Sequence, residues 1–234
     1  MRKLLFNMKN DDVGAIGIGA MIVLIAMILV AGVAASVIIS TSNALQSQAL
    51  KTASETTREV SGGINVFSII GSVNVTGNES TGYTYNNISC LAITVEGRAG
   101  ADRIDLNNTY ILISDGTTKA LLTYEYGNDT TNFFNNSVNG DLFDAILWED
   151  LSKDKFGIGV LQDYDGSMNS QYNPALNRGD KACLYIYCDT NGTFGKQLET
   201  RIDVFGEVIP EIGAPGVIGF TSPMSYFDVI YILQ

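Results

Sequence analysis

The sequence predicts an α+β chain, one long hydrophobic helix on the N-terminal side followed by an antiparallel β-sandwich. Three observations carry this. Residues 15–39, AIGIGAMIVLIAMILVAGVAASVII, contain no charge and no proline. Apolar residues then recur at helical spacing as far as Gly62-Gly63. Beyond that pair the period shortens to alternation, in eight or nine runs separated by Gly, Asn, Asp and Pro clusters. Strand and helix patterns do not alternate, which argues against a parallel α/β sheet.

The helix comes first. The 25 residues from Ala15 to Ile39 would measure about 37 Å, enough to cross a hydrocarbon core of about 30 Å with some tilt. The run is apolar on every face, so it is not the surface helix of a globular domain. Arg2, Lys3 and Lys9 precede it and no Lys or Arg follows until Lys51, which places the N-terminal end in the cytoplasm and the rest outside. Three readings fit the segment. It is a secretory signal cut near Gly32-Val33-Ala34, a permanent single-pass anchor, or a helix cut at its front edge after Gly14 and kept. Gly17, Gly19, Ala20, Ala26, Ala31, Gly32, Ala34 and Ala35 exceed what a lone lipid-facing anchor needs. Small residues let helix backbones approach closely where no hydrophobic gradient draws them together. Leu45, Ala49, Ala53 and Val60 continue the pattern as one apolar stripe, and Gly62-Gly63 stops it.

The head, residues 63–234, reads as short strands rich in Ile, Val, Tyr, Thr and Phe. They are INVFSIIGSVNV from Ile64, NISCLAITVEG, RIDLNNTYILIS, KALLTYEYG, DAILW, GIGVLQ, KACLYIYCD, TRIDVFGEV and YFDVIYIL. That number of short strands over this length predicts an Ig-like sandwich.

Charge and cysteine narrow the function. Fourteen Lys and Arg against 25 Asp and Glu give a net charge of −11. A chain this acidic offers no cationic face for nucleic acid, and its surface stays soluble. There is no histidine, which removes the commonest general base and metal ligand. Cys90, Cys183 and Cys188 are the three cysteines. Cys183 and Cys188 are five apart on a strand and point to opposite faces. A disulfide would therefore join Cys90 to one of them, and buried free thiols are the alternative.

Seven sequons for N-linked sugar, at Asn74, Asn78, Asn87, Asn107, Asn128, Asn135 and Asn191, suggest a glycosylated outward surface. Asn87 is expected just before a strand and Asn107 inside one, so these two are expected to be buried or unmodified. Gln162-Asp-Tyr-Asp-Gly-Ser-Met-Asn169 sets oxygen ligands at alternate positions. Asp163 and Asp165 there are of the kind calcium takes, although a plain polar turn uses the same residues.

Gly14 followed by AIGIG, then MIVLIAMILVAGVAASVII and STSNALQSQA, resembles the N-terminus of archaeal flagellins (archaellins), filament subunits akin to type IV pilins. The PALNRGD turn and the GEVIPEIGAPG block from Gly206 resemble the same family's C-terminal portion. A bacterial type IV pilin carries Glu at the fifth mature position, where Gly19 stands here. Asp11, Asp12 and Val13 differ from the usually basic residues before the cut. The resemblance implies that residues 1–14 are a class III signal peptide removed by a prepilin-like peptidase. Ala15 is then the first mature residue, and residues 15–62 form the filament-core helix. It implies polymerisation with copies of itself or other archaellins, on a membrane platform driven by an ATPase, into an extracellular filament for swimming. No cofactor is required, and structural calcium in the head is compatible with the family. An adhesive archaeal pilin and a membrane-anchored β-sandwich binding protein are the alternatives. No GxSxG, P-loop, CxxC or HExxH motif is present, so the chain is not expected to be an enzyme.

Overall fold

The computed structural model describes residues 2–78, 82–101, 103–124, 133–144, 146, 148 and 151–234. The chain divides into two compact units, Met1–Glu55 and Thr56–Gln234.

A single helix, α1, runs from Arg2 to Ser61, 60 residues in all. No proline or strand-forming turn interrupts it, and its interior is rich in Ala, Leu, Met and Ile. Polar Thr41 is accommodated because its hydroxyl donates back to the carbonyls of Val37 and Ile38, each at 3.0 Å. The helix ends where Gly62 N donates to Arg58 O at 3.0 Å and the chain turns into the first strand.

The second unit is built on strands β1 (Ile64–Asn78), β2 (Gly82–Gly97), β3 (Ile104–Asp105), β4 (Tyr110–Ser114), β5 (Lys119–Tyr124) and β6 (Phe134–Asn135). These are followed by β7 (Lys155–Gln162), β8 (Ala175–Leu176), β9 (Lys181–Tyr187), β10 (Asp203–Ile209), β11 (Gly216–Thr221) and β12 (Ile230–Ile232). Ten strands form one sheet in the order β11-β10-β4-β5-β7-β9-β2-β1-β12, with β6 beside β7. β3 and β8 make a separate pair. The pairings are antiparallel except β5 with β7 and β6 with β7. The expected sandwich thus takes the form of one strongly curled sheet, whose two halves meet at a short parallel junction of Thr123 with Lys155 and Tyr124 with Phe156.

The curl brings the sheet's ends together. A Cβ on Gly216 of β11 would lie 3.0 Å from Val66 of β1. The side chain of Gln234 closes the seam between β12 and β11, accepting from Gly219 N at 2.9 Å and donating to Val217 O at 3.4 Å.

Inside the curl lies the main core, including Ile64, Ile93, Ile111, Leu122, Phe156 and Leu184. A second cluster covers the outer face of β2 and β9: Ala92, Cys183 and Tyr185 pack under Phe133, Ile146 and Leu151. Trp148 meets Tyr185 edge-on at 5.2 Å. Two faces of one sheet are therefore buried, which is why Ala182 to Ile186 of β9 are buried without a break rather than alternating.

Several sequence expectations are corrected here. RIDLNNTYILIS is not one strand: β3, a 3-10 turn at Leu106–Asn108 and β4 divide it. Asp105 Oδ1 accepts from Asn107 N at 2.9 Å and caps that turn. DAILW lies partly outside the described residues. Its first residue ends the 3-10 turn Leu142–Asp144, and Ile146 and Trp148 face the second core rather than a ladder. GVIGFT, flanked by Pro215 and Pro223, is strand β11, which the Gly and Pro content concealed.

Candidate functional site

The apolar helix is defined by what it leaves uncovered. All 15 large apolar residues from Ile16 to Ile39 are more than half exposed, Ile25 least at 51%. Burying each is worth about 1.5–3 kcal/mol, so this surface requires lipid or other helices. The segment from Ile16 to Ser61 contains a window long and apolar enough to cross a membrane. At Gly14, Gly17, Gly19 and Gly32 an added Cβ would meet nothing within 4 Å. Among the described residues no packing accounts for those glycines. Ala20, Ala26, Ala31, Ala34 and Ala35 lie on the same exposed stretch, and Gly14 is an exposed helical residue before Ala15.

The head begins with a glycine joint. Ile64 N donates to Ala214 O at 3.1 Å, and Ala214 N donates to Gly62 O at 3.0 Å. Gly63 has φ +135, and a Cβ there would lie 2.3 Å from Ala214 O. Gly213 has φ +103, and its Cβ would lie 2.6 Å from Gly62 C. Gly100 abuts Ser61 at 2.6 Å by the same measure. The helix stop and the GEVIPEIGAPG block, some 150 residues apart in sequence, therefore meet backbone to backbone. Their composition follows from that contact. Sequence reasoning singled out both segments but had no signal that they touch.

The loop after β7 gathers Asp163, Asp165 and Asp180, whose ligand oxygens lie within 4.8 Å of one another. Asp180 was not among the expected residues and is 1% exposed. Backbone amides already occupy these carboxylates. Gly166 N and Met168 N donate to Asp163 at 2.8 and 3.1 Å. Tyr164 N and Asn177 N donate to Asp180 at 3.2 and 3.0 Å. Hydrogen bonds from Ser167, with a further one from Asn177, hold the Asp165 carboxyl below its ordinary range. The carboxylates thus fold the turn by themselves, and the same oxygens are of the type a hard cation takes.

The sequons fall in unlike settings. Asn191 is exposed in the loop after β9. Asn135 is half-buried, with Oδ1 accepting from Ser137 N at 3.0 Å. Asn74 lies half-buried on β1. Asn87 lies within β2, not before it, and Asn107 in the 3-10 turn, not in a strand; both are half-buried. Asn78 ends β1, and Asn128 lies outside the described residues.

Cys90, Cys183 and Cys188 are buried free thiols. Cys183 faces the second core and Cys188 the main core, opposite sides as their spacing requires. Burial pushes Cys90 and Cys183 up to about 12 and Cys188 well above its ordinary value, so none is a reactive thiolate at neutral pH.

One buried charge anchors the far end of the sheet. Asp115 is 5% exposed, and its Oδ2 sits 3.2 Å from Lys196 Nζ. Burial pushes its carboxyl up, but the amides of Thr118 and Thr117 and the Lys196 ammonium outweigh this and hold it below the ordinary 3.8. A lowered native value means a stabilising contribution present above that ordinary value and lost as pH falls through the native one. Acid titration of the head is therefore expected to show a destabilising step below about pH 4. Asp115→Ala should remove that step and cost about 2 kcal/mol, because two turn amides lose their acceptor. Thermal melts from pH 3 to pH 7 check this; an unchanged step in the variant would refute it.

Comparison with known proteins places these features. The archaeal-type flagellin family model matches residues 14–220. Flagellin B3 of Methanocaldococcus jannaschii is 42% identical, over 94% of this chain and 95% of the relative. Flagellin B3 of Thermococcus kodakarensis is 37% identical, over 94% of this chain and 97% of the relative. The crystal structure of archaeal flagellin FlaB1 from M. jannaschii aligns with a TM-score of 0.59 at 29% identity, covering 74% of this chain and 97% of that one. The archaeal flagellum of Methanospirillum hungatei shares the fold, with a TM-score of 0.56 at 16% identity, over 93% of this chain and 99% of that one.

Proposed function

The chain belongs to the archaeal-type flagellins, a structural subunit of an archaeal flagellum used for swimming, and from that premise we propose how it is processed and assembled. The precursor waits in the cytoplasmic membrane, its Ile16–Ile39 surface in lipid and Arg2, Lys3 and Lys9 on the cytoplasmic side. A prepilin-like peptidase cuts between Gly14 and Ala15. The cut removes five charged residues, Arg2, Lys3, Lys9, Asp11 and Asp12, whose burial among apolar helices would be costly.

The mature helix then passes from lipid into a bundle of like helices. Apolar burial is nearly equal in the two settings, so close packing through Gly17, Gly19, Ala20, Ala26, Ala31, Gly32, Ala34 and Ala35 decides the exchange. A head-to-tail repeat that does not close gives an open helical filament. The filament is extracellular, its acidic heads form the outer layer, and exposed Asn191 is the sequon we favour to carry glycan. Torque and assembly energy come from a membrane platform and its ATPase, since the subunit's residues supply neither. The reading requires no cofactor; a calcium ion at Asp163 and Asp165 would only tie down a head loop.

The observation that carries this reading is the exposed apolar helix whose glycines meet no packing partner among the described residues. The test is N-terminal sequencing with intact mass on filaments sheared from cells. Chains starting at Ala15 in high-molecular-weight material are expected. An intact Met1 confined to membranes, or a soluble chain starting near Ala35, would overturn the proposal.

A further inference from the structure

The outer face of β11, β10, β4 and β5 carries an apolar band that stays exposed among the described residues. Register places Val217 beside Glu207, Glu207 beside Leu112, and Leu112 beside Leu121. Val217 is 67% exposed, Phe205 56% and Leu121 54%. Leu112, Phe205, Val217 and Lys119 line a hollow of about 290 Å³ on this face. Across the Gln234 seam the band continues to Ile232, which is 79% exposed. An apolar surface of this kind, interrupted by Glu207, marks an interaction site.

Charge indicates what covers it. Residues 202–234, which supply β10, β11 and β12, contain four carboxylates (Asp203, Glu207, Glu211 and Asp228) and no Lys or Arg. The opposite flank carries Lys119 at the start of β5, and Lys155, whose Nζ donates to Thr123 of β5 at 3.3 Å. One flank of the band is thus predominantly acidic, with Arg98 and Arg201 only at its margins, and the other carries Lys119 and Lys155 against Asp154, so the flanks of two copies complement each other while like flanks repel.

Building on the filament reading above, we propose that this band is a head-to-head contact with a second copy of the chain, the β5 flank of one head meeting the β10–β12 flank of the next. The two flanks are different surfaces of the same molecule. The contact is therefore heterologous, does not close into a dimer, and repeats along an open array.

The natural thiols are all buried, so introduced cysteines report alone. Val217→Cys and Leu121→Cys are labelled with a bulky maleimide in two states, sheared filaments and detergent-dispersed subunits. Tyr164→Cys, at a position 92% exposed and off the band, is the reference. Labelling of the two band positions is expected to be at least about tenfold slower in filaments, with Tyr164→Cys changing far less. Filaments of Lys119→Glu should dissociate at lower temperature, and adding Asp228→Lys should restore the parent value. If the parent chain forms no filaments, the subunit reading falls and the band with it. If filaments form but Val217→Cys labels as fast as in dispersed subunits, or Tyr164→Cys is slowed equally, the band contact alone is overturned.

Discussion

Replacing Gly63 by alanine is expected to destabilise the head by about 3 kcal/mol or more and to abolish filaments on cells. Two effects act at once. Backbone at φ +135 is a conformation that residues with a Cβ avoid at a cost of order 1–3 kcal/mol. The new methyl would also sit 2.3 Å from Ala214 O, and backbone on both sides leaves nothing soft to yield. Relief requires breaking the bonds from Ile64 N to Ala214 O and from Ala214 N to Gly62 O, each worth about 1 kcal/mol net. Gly213→Ala attacks the same contact from the other side. The double variant should therefore cost clearly less than the sum of the singles. Gly219→Ala, where a Cβ would meet nothing within 4 Å, is the control. Thermal unfolding of the detergent-dispersed full chain, followed by its β signal, reads this out. A Gly63→Ala melt within about 2 °C of the parent would sink the argument.

The second large effect is expected at Gly159 on β7. Its missing side chain makes room for the Tyr185 ring, because a Cβ there would lie 2.7 Å from Tyr185 Oη and Cε2 and 2.8 Å from Val138. Tyr185 is fully buried and central to the second core, with Trp148 stacked edge-on against it. Gly159→Val would evict that ring and loosen the cover of Phe133, Ile146 and Leu151. The expected cost is about 3–4 kcal/mol, or a fall in Tm on the order of 10 °C for a head of this size. Tyr185→Leu in the same chain should recover part of the loss by vacating the space. Strictly additive effects of the two substitutions would mean that the ring and the glycine do not share that space.

The helix and its end were legible because periodicity and glycine punctuation are local signals, and α1 stops at Ser61 just before Gly62-Gly63. Strands β7 and β9, buried on both faces, were legible as short apolar runs bounded by Gly and Asp. Strand β11 was not, since Gly216 and Gly219 lower its local propensity while tertiary contacts supply the ladder. The parallel junction of β5 with β7 depends on partners more than thirty residues apart, which no local pattern encodes. At the site level, Asp163 and Asp165 could be read from spacing, but Asp180 joins them only through the fold. Likewise, the pairing of Gly62 and Gly63 with Ala214 is visible only once the sheet has curled. Gly213 of the GEVIPEIGAPG block is explained by the same contact.

The seam sealed by Gln234 bears on how heads coexist at very high local concentration. A curled sheet that stops short of closing has two raw edges, and edges invite strand exchange between neighbours. Here the amide of Gly219 and the carbonyl of Val217 are already engaged by one side-chain carboxamide. Leu233 N is tied to Ile69 O at 2.7 Å on the other side. An intruding strand must evict that plug before it gains its first ladder bond. Crowded heads can thus press their outer surfaces together while their backbones stay private, so a polymer of folded domains does not drift into a tangle of swapped ones.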